Sequence, residues 1–225
     1  MKLTNYNFPD IELLKNTGSF YRCMVWEPPG LSIVLGQACR LETSIIRPHV
    51  VRDRVPVYKR PSGGGAVILS PQTLVISIVK RGDRFLSPRF YFSTYTETIV
   101  QALQALEIKD LNVEGISDIC IGDKKILGSS IYRNRELVWY HAVLNRAEDT
   151  SVMDRYLTHP GHEPTYRRGR RHGDFVTSLV NEGYCLSVDA IKETLLLHLR
   201  MLHMKFVEDQ MKRFQGFGPS IGERA

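Results

Sequence analysis

The chain has little of what marks a secreted or membrane-bound protein. Its four cysteines, Cys23, Cys39, Cys120 and Cys185, are scattered through 225 residues without paired spacing. That excludes a zinc-ligand pattern and a secreted disulfide framework. No apolar run is long enough to span a bilayer, and Met1-Lys2-Leu3-Thr4-Asn5-Tyr6 has no signal-peptide core. The reading is a reduced, cytoplasmic protein. Repeats and low-complexity tracts are also lacking. Acidic residues fall short of basic ones, 24 against 30, which leaves a net charge of +6 and an isoelectric point near 9.2. Such a balance favours an acidic partner: nucleic acid, a nucleotide or an acidic protein.

What is present suits one sizeable domain. Hydrophobic residues make up 43% of the chain, enough for a packed core. The pattern predicts a short helix over 5–18 stopped by Gly18, then strands over Phe20–Trp26 and Leu31–Leu35 with a Pro28-Pro29-Gly30 turn between them. A short helix follows from Glu42, and Val55–Tyr58 is a strand. Ala66–Leu69 and Thr73–Val79 read as a hairpin around Ser70-Pro71-Gln72. Ser87-Pro88 caps and opens a helix to Leu106, with Tyr95, Ile99, Leu103 and Leu106 on its buried stripe. Asp118–Ile121, Lys125–Tyr132 and Leu137–Leu144 read as an antiparallel meander. Thr150–Leu157 is a short helix, and Thr158–Gly173 a long loop of the kind that carries function. A last helix opens at Ser187, runs through Ile191, Leu195, Leu196 and Leu199, and can continue into the 201–212 segment. Residues 1–212 make the domain and 213–225 a tail.

Two stretches carry chemistry. In Lys59-Arg60-Pro61-Ser62-Gly63-Gly64-Gly65-Ala66-Val67, three glycines follow a strand. Bare backbone N–H groups beside a cation suit a phosphate or carboxylate, although a glycine hairpin with two solvated charges has the same spacing. In Asp123-Lys124-Lys125-Ile126-Leu127-Gly128-Ser129-Ser130, successive lysines on a strand point to opposite faces. One can therefore serve as a point-charge clamp in a cleft. Gly128 lets backbone approach a ligand, and Ser129 and Ser130 offer hydroxyls. A lysine-rich hairpin edge is the other reading. The cluster Arg167-Arg168-Gly169-Arg170-Arg171-His172 reads either as an RNA-binding patch or as a solvated loop.

Together these stretches resemble the lipoate–protein ligases and octanoyltransferases. The glycine motif, the Ser117-Asp118 pair, Gly122 to Ser130, and His159-Pro160-Gly161-His162-Glu163-Pro164-Thr165-Tyr166-Arg167 with Asp174 to Leu179 occur in the family's order over roughly residues 5–205. The resemblance implies an α/β (α+β) domain with a mixed, largely antiparallel sheet flanked by helices, the biotin/lipoate protein ligase catalytic-domain fold. It implies that ATP activates lipoate or octanoate to an acyl-adenylate, and that the acyl group passes to a lysine of a lipoyl-domain acceptor protein. Lys125 would be the catalytic charge. Arg60, Gly63, Gly64, Gly65, Ala66, Val67, Ile68 and Ser129 would bind ATP and acyl-adenylate. Asp118 would serve Mg²⁺ or the incoming amine. His141 and Asn145 are pocket candidates, with a satisfied core histidine as the alternative for His141. Under this resemblance the basic cluster closes over the intermediate or docks an acidic lipoyl domain, and nucleic acid recedes.

Three departures from the family accompany the match. Leu69 and Ser70 stand where a histidine–aspartate pair is usual. The accessory C-terminal domain of longer ligases is not seen, so a separate small partner supplies it or the enzyme works without one. No cysteine lies at Arg168–Gly173, where one branch of octanoyltransferases carries its acyl-thioester nucleophile. Cys39, Cys120 and Cys185 read as apolar fillers, with transfer from acyl carrier protein through a thioester as the alternative chemistry.

Overall fold

Long β-branched and aromatic runs in the middle of the chain build the larger of two sheets. The computed structural model describes residues 2–15, 20–81 and 86–215. Six strands pair in the order β2 (Tyr21–Trp26), β6 (Thr73–Arg81), β10 (Leu137–Asn145), β9 (Lys124–Arg133), β8 (Asp118–Ile121) and β7 (Leu111–Glu114). Every neighbouring pair among them is antiparallel. A smaller sheet orders β1 (Leu3–Asn5), β4 (Val57–Lys59), β3 (Ser32–Leu35) and β5 (Val67–Leu69). There β4 runs parallel to β1 and β3, while β5 is antiparallel to β3.

Side-chain alternation divides the core into three parts. One face of the large sheet (Leu74, Ile76, Ile78, Val138, Tyr140) packs on α4 (Pro88–Ala105) and α7 (Val188–Gln215), through Tyr91, Tyr95, Ile99 and Leu103 from the first and Ile191, Leu195 and Leu199 from the second. Its other face gives Val75, Val79 and Trp139 to a cluster with Val34 and Leu69 of the small sheet. The far face of the small sheet (Ile33, Leu35, Val57, Ile68) packs on α2 (Leu41–Ser44), α3 (Arg47–Arg52) and α5 (Ser151–Tyr156).

The expected meander over 118–144 is present, turning at Gly122 with φ 57°. Helix α4 begins as expected: Ser87 Oγ accepts from the Phe90 N–H at 3.2 Å, and Pro88 occupies the first turn. Other expectations need correction. Residues 5–18 do not form one helix. Asn5 ends β1, a 3-10 turn covers Pro9–Ile11, α1 covers Glu12–Lys15, and the expected stop at Gly18 lies outside the described residues. Strands β5 and β6 do not make a hairpin, because β5 pairs with β3 while β6 pairs with β2 and β10. The Ser70–Gln72 turn therefore carries the chain from one sheet to the other. Within the expected loop, Thr165–Arg167 forms a 3-10 turn and α6 (His172–Phe175) a short helix. Helix α7 runs on to Gln215, past the expected start of the tail.

Candidate active site

A β-bulge aims the key lysine. In regular alternation Lys125 would face away from Gly128 and Ser130. Cys120 pairs with Lys125, and Ile119 pairs with Leu127, so Ile126 is the extra residue on β9. The strand changes phase there, and the Lys125 side chain lies over Gly128. A Cβ built on Gly128 would sit 2.6 Å from Lys125 Nζ and 2.7 Å from its Cε. Gly128 was expected to admit a ligand, but the room its missing side chain leaves is filled by the lysine. Nζ pairs with Asp118 Oδ1 at 2.8 Å, with side chains 25% and 16% exposed. Asp118 Oδ2 accepts from the Tyr166 hydroxyl at 2.8 Å. The backbone of Lys125 is fixed as well, its carbonyl accepting from the Thr177 N–H at 2.9 Å.

The glycine motif meets the same face of the large sheet. Gly64 adopts φ 85°, and a Cβ there would lie 3.8 Å from that of Ser130, which follows Gly128 by two residues on β9. A Cβ at Gly63 or Gly65 would meet nothing within 4 Å, so bare backbone borders open space on either side of Gly64. Both cations of the motif turn inward. Lys59 Nζ donates to the Cys39 carbonyl at 2.5 Å. Arg60, 7% exposed, donates through Nε to Ser62 Oγ at 3.0 Å, through Nη1 to the Val34 carbonyl at 3.1 Å, and through Nη2 to the carbonyls of Gly63 and Gly65 at 2.8 Å each. Burial brings its pKa down to about 10, which leaves it charged at neutral pH. Arg60, expected to contact a phosphate, braces the glycine loop in this structure.

Ser62 ties that loop to the sheet. Its Oγ lies 3.1 Å from Ser130 Oγ and 2.5 Å from His141 Nε2. Burial, then the Arg60 charge, pushes the His141 pKa down to about 3. The ring is neutral, so its Nε2 can accept a hydrogen bond from the Ser62 hydroxyl. His141 is thus a satisfied core histidine. Beside it, Asp10 is fully buried and accepts from Tyr6 at 2.9 Å and from the Ser77 hydroxyl. Burial raises both the Asp10 carboxyl and the Tyr6 phenol.

Several candidates fall elsewhere. Ser129 faces the opposite side of β9 and donates to Ser117 Oγ at 2.6 Å, so Ser130 is the hydroxyl beside the glycines. Asn145 closes a turn with both ends of its amide on the Glu148 backbone, at 2.8 and 3.2 Å. Val67 packs between the sheets while Ala66 and Ile68 pack on the far cluster, so the three do not line one wall. Half of the basic cluster is tied down, while Arg168 and Arg171 are exposed. Arg167 and Arg170 stack on Phe175 at 4.8 and 5.3 Å, and Arg170 bonds Asp123 Oδ2 at 2.8 Å. Ser62 of the glycine motif and Ser130 of the lysine strand join the site, and so does Tyr166, which composition and spacing do not single out. Two clefts among the described residues, of about 570 and 430 Å³, are lined by neither Gly63–Gly65 nor Lys125. The chemical identity of the side chains, rather than cleft size, marks this site.

These features define an α/β domain with an exposed glycine backbone and a carboxylate-held lysine on one sheet face. Over residues 12–200 the chain matches the family described as lipoyl protein ligase A/B catalytic domain, and it belongs to that family. Lipoate–protein ligase 1 of Staphylococcus aureus strain Mu50 is 30% identical over 127 residues, covering 56% of this chain and 38% of that protein. The chain thus spans little more than a third of that relative's length. In fold it is similar to a crystal structure of lipoate-protein ligase A bound with ATP, with a TM-score of 0.74 at 18% identity, covering 90% of this chain and 85% of that one. A bipartite lipoate protein ligase from Thermoplasma acidophilum, reported with its E2 lipoyl domain, gives 0.74 at 19% identity over 90% and 83%.

Proposed function

We propose that the domain joins lipoate or octanoate to ATP as an acyl-adenylate and passes the acyl group to a lysine of a lipoyl-domain acceptor. A carboxylate oxygen attacks the α-phosphorus, the bond to the β-phosphate oxygen breaks, and pyrophosphate leaves. A neutral acceptor amine then attacks the acyl carbon, the acyl–oxygen bond breaks, and AMP leaves as the amine proton passes to solvent. Negative charge builds on phosphoryl oxygens in the first step and on the acyl oxygen in the second. Lys125 supplies the facing positive charge, and the backbone at Gly63–Gly65 supplies close approach.

The observation that carries this reading is the Lys125 amine, held by Asp118 on the face it shares with Ser130 and Gly64. Family membership and the ATP-bound neighbour in fold support it. Magnesium accompanies ATP, but among the described residues no group of three His, Cys, Asp or Glu side chains is disposed to hold a metal ion. Both oxygens of Asp118 are engaged. The residues present do not fit a resident magnesium site, so the ion is assigned to the polyphosphate. The bipartite Thermoplasma ligase supports a separate small partner for this chain too. A cytoplasmic setting accords with four free thiols. Among the described residues, no helix is long and apolar enough to cross a membrane.

The test is lipoate-dependent exchange of pyrophosphate into ATP. Exchange is expected in the native protein and is expected to be nearly lost in Lys125→Ala; no exchange, with or without an accessory protein, overturns the reading. A second chemistry has a thiol within reach of the glycine loop. The Cys39 thiol donates to the Gly64 carbonyl at 3.4 Å, so an acyl-thioester on Cys39, found by mass spectrometry, would point to transfer without ATP.

A further inference from the structure

We infer that Tyr166 is a positioning residue for Lys125, acting through Asp118. This rests on the ligase reading above. Asp118 divides its two oxygens, Oδ1 to the lysine amine and Oδ2 to the phenol, each at 2.8 Å. A carboxylate bonded at one oxygen only can swing about its Cα–Cβ bond; bonded at both, it is fixed, and so is the cation it holds. The phenol keeps its proton, because burial and then the Asp118 charge raise its pKa far above the usual range. It therefore donates at every working pH. The ring itself is anchored. It tilts against Phe175 with centroids 5.1 Å apart, and Phe175 is covered by Arg167 and Arg170. Arg170 in turn grips Asp123, both its side chain and its carbonyl, at the β8–β9 turn. The 158–175 segment thus holds the lysine-bearing hairpin at two points, and only the phenol reaches the reacting charge.

Tyr166→Phe keeps the ring and its stacking and deletes the donor. Losing a hydrogen bond to a charged group is expected to lower kcat for adenylate formation about tenfold, with KM for ATP and lipoate unchanged. In an Asp118→Asn background the same change is expected to cost nothing further, since the phenol acts through that carboxylate. Additive losses, or a fall in melting temperature that accounts for the lost rate, would overturn the inference. A second readout does not depend on ligase activity: the rate at which an amine-selective acylating reagent labels Lys125, followed by peptide mass spectrometry. Labelling is expected to rise several-fold in Tyr166→Phe, approaching that of Asp118→Asn. Unchanged labelling sinks the positioning role even if exchange falls. A native protein without exchange whose Lys125 labelling still responds to Tyr166 sinks the ligase reading alone.

Discussion

Placing a methyl group on Gly128 separates the lysine's position from the stability of the fold. The added Cβ would lie 2.6 Å from Lys125 Nζ and 2.7 Å from Cε. Ordinary van der Waals contact begins near 3.4 Å, so the amine must retreat by roughly 0.8 Å or more. Asp118 Oδ1, 2.8 Å from the amine, is already 3.5 Å from the same Cβ and has no need to move, so the displacement falls on the lysine. The backbone has no objection: Gly128 is not among the glycines with positive φ. Only the far end of a flexible side chain is displaced. Replacing a strand glycine by alanine in an allowed conformation stabilises by about 0.4–1 kcal/mol through the unfolded state. Gly128→Ala is therefore expected to melt at the same temperature as the native protein or slightly higher. Displacing the charge by about 1 Å is expected to lower the kcat/KM of lipoate-dependent exchange about a hundredfold. Adding Lys125→Ala to it should cost little more, since the lysine is already out of place. Native exchange rates in Gly128→Ala would refute the placement of Lys125. A collapse of the melting temperature would refute the claim that only the side chain has to move.

Arg60→Lys is expected to lower stability by about 3 kcal/mol in urea titrations, since a point charge cannot span the carbonyls of Val34, Gly63 and Gly65. Retained stability would mean that the glycine loop does not need its brace. Acid should weaken the fold through His141. Its pKa is near 3 when folded and 6.5 when unfolded, so between those values the unfolded chain binds the extra proton, and stability is lost as pH falls through that window. From neutral pH down to pH 5 the loss is about 2 kcal/mol. The depressed His172 titration has the same sign. His141→Asn should flatten the slope, and an unchanged slope would remove His141 as its source.

Much of the fold was legible because it depends on periodicity. The meander over 118–144 and helix α4, with its serine cap and proline start, follow from short-range patterns. What escaped depends on contacts distant in sequence. A turn such as Ser70–Gln72 is compatible with a hairpin or with a crossing between sheets. What decides is whether Ile68 finds Ile33 or a strand of its own. Strand β1, only three residues long, exists through its parallel pairing with β4, more than fifty residues away. The site shows the same division. Lys125 and the glycines were legible as motifs, and their sharing one sheet face rests on a bulge that strict alternation does not contain. Ser129 and Ser130 are chemically alike, and the phase of β9 alone selects the second. Arg60 has the residue type for a phosphate contact, but four nearby acceptors satisfy its guanidinium inside the protein.

The same physics explains Leu69 and Ser70, where the family resemblance leads one to expect a histidine and an aspartate. Leu69 is 2% exposed and packs with Val34, Val75 and Trp139 between the sheets. An imidazole there would need a polar partner inside an apolar cluster. Ser70 is 3% exposed and holds the crossing turn: its N–H donates to Thr73 Oγ1 at 3.1 Å, its carbonyl accepts from the same hydroxyl at 2.9 Å, and its Oγ accepts from the Gln72 N–H at 3.1 Å. A carboxylate at position 70 would add a buried charge to a turn whose hydrogen bonds are already complete. Both positions therefore serve the passage of the chain from the small sheet to the large one. In the proposed reaction, polar assistance to the leaving pyrophosphate then has to come from other groups, and the Lys125 amine stands on the face where the glycine backbone is bare.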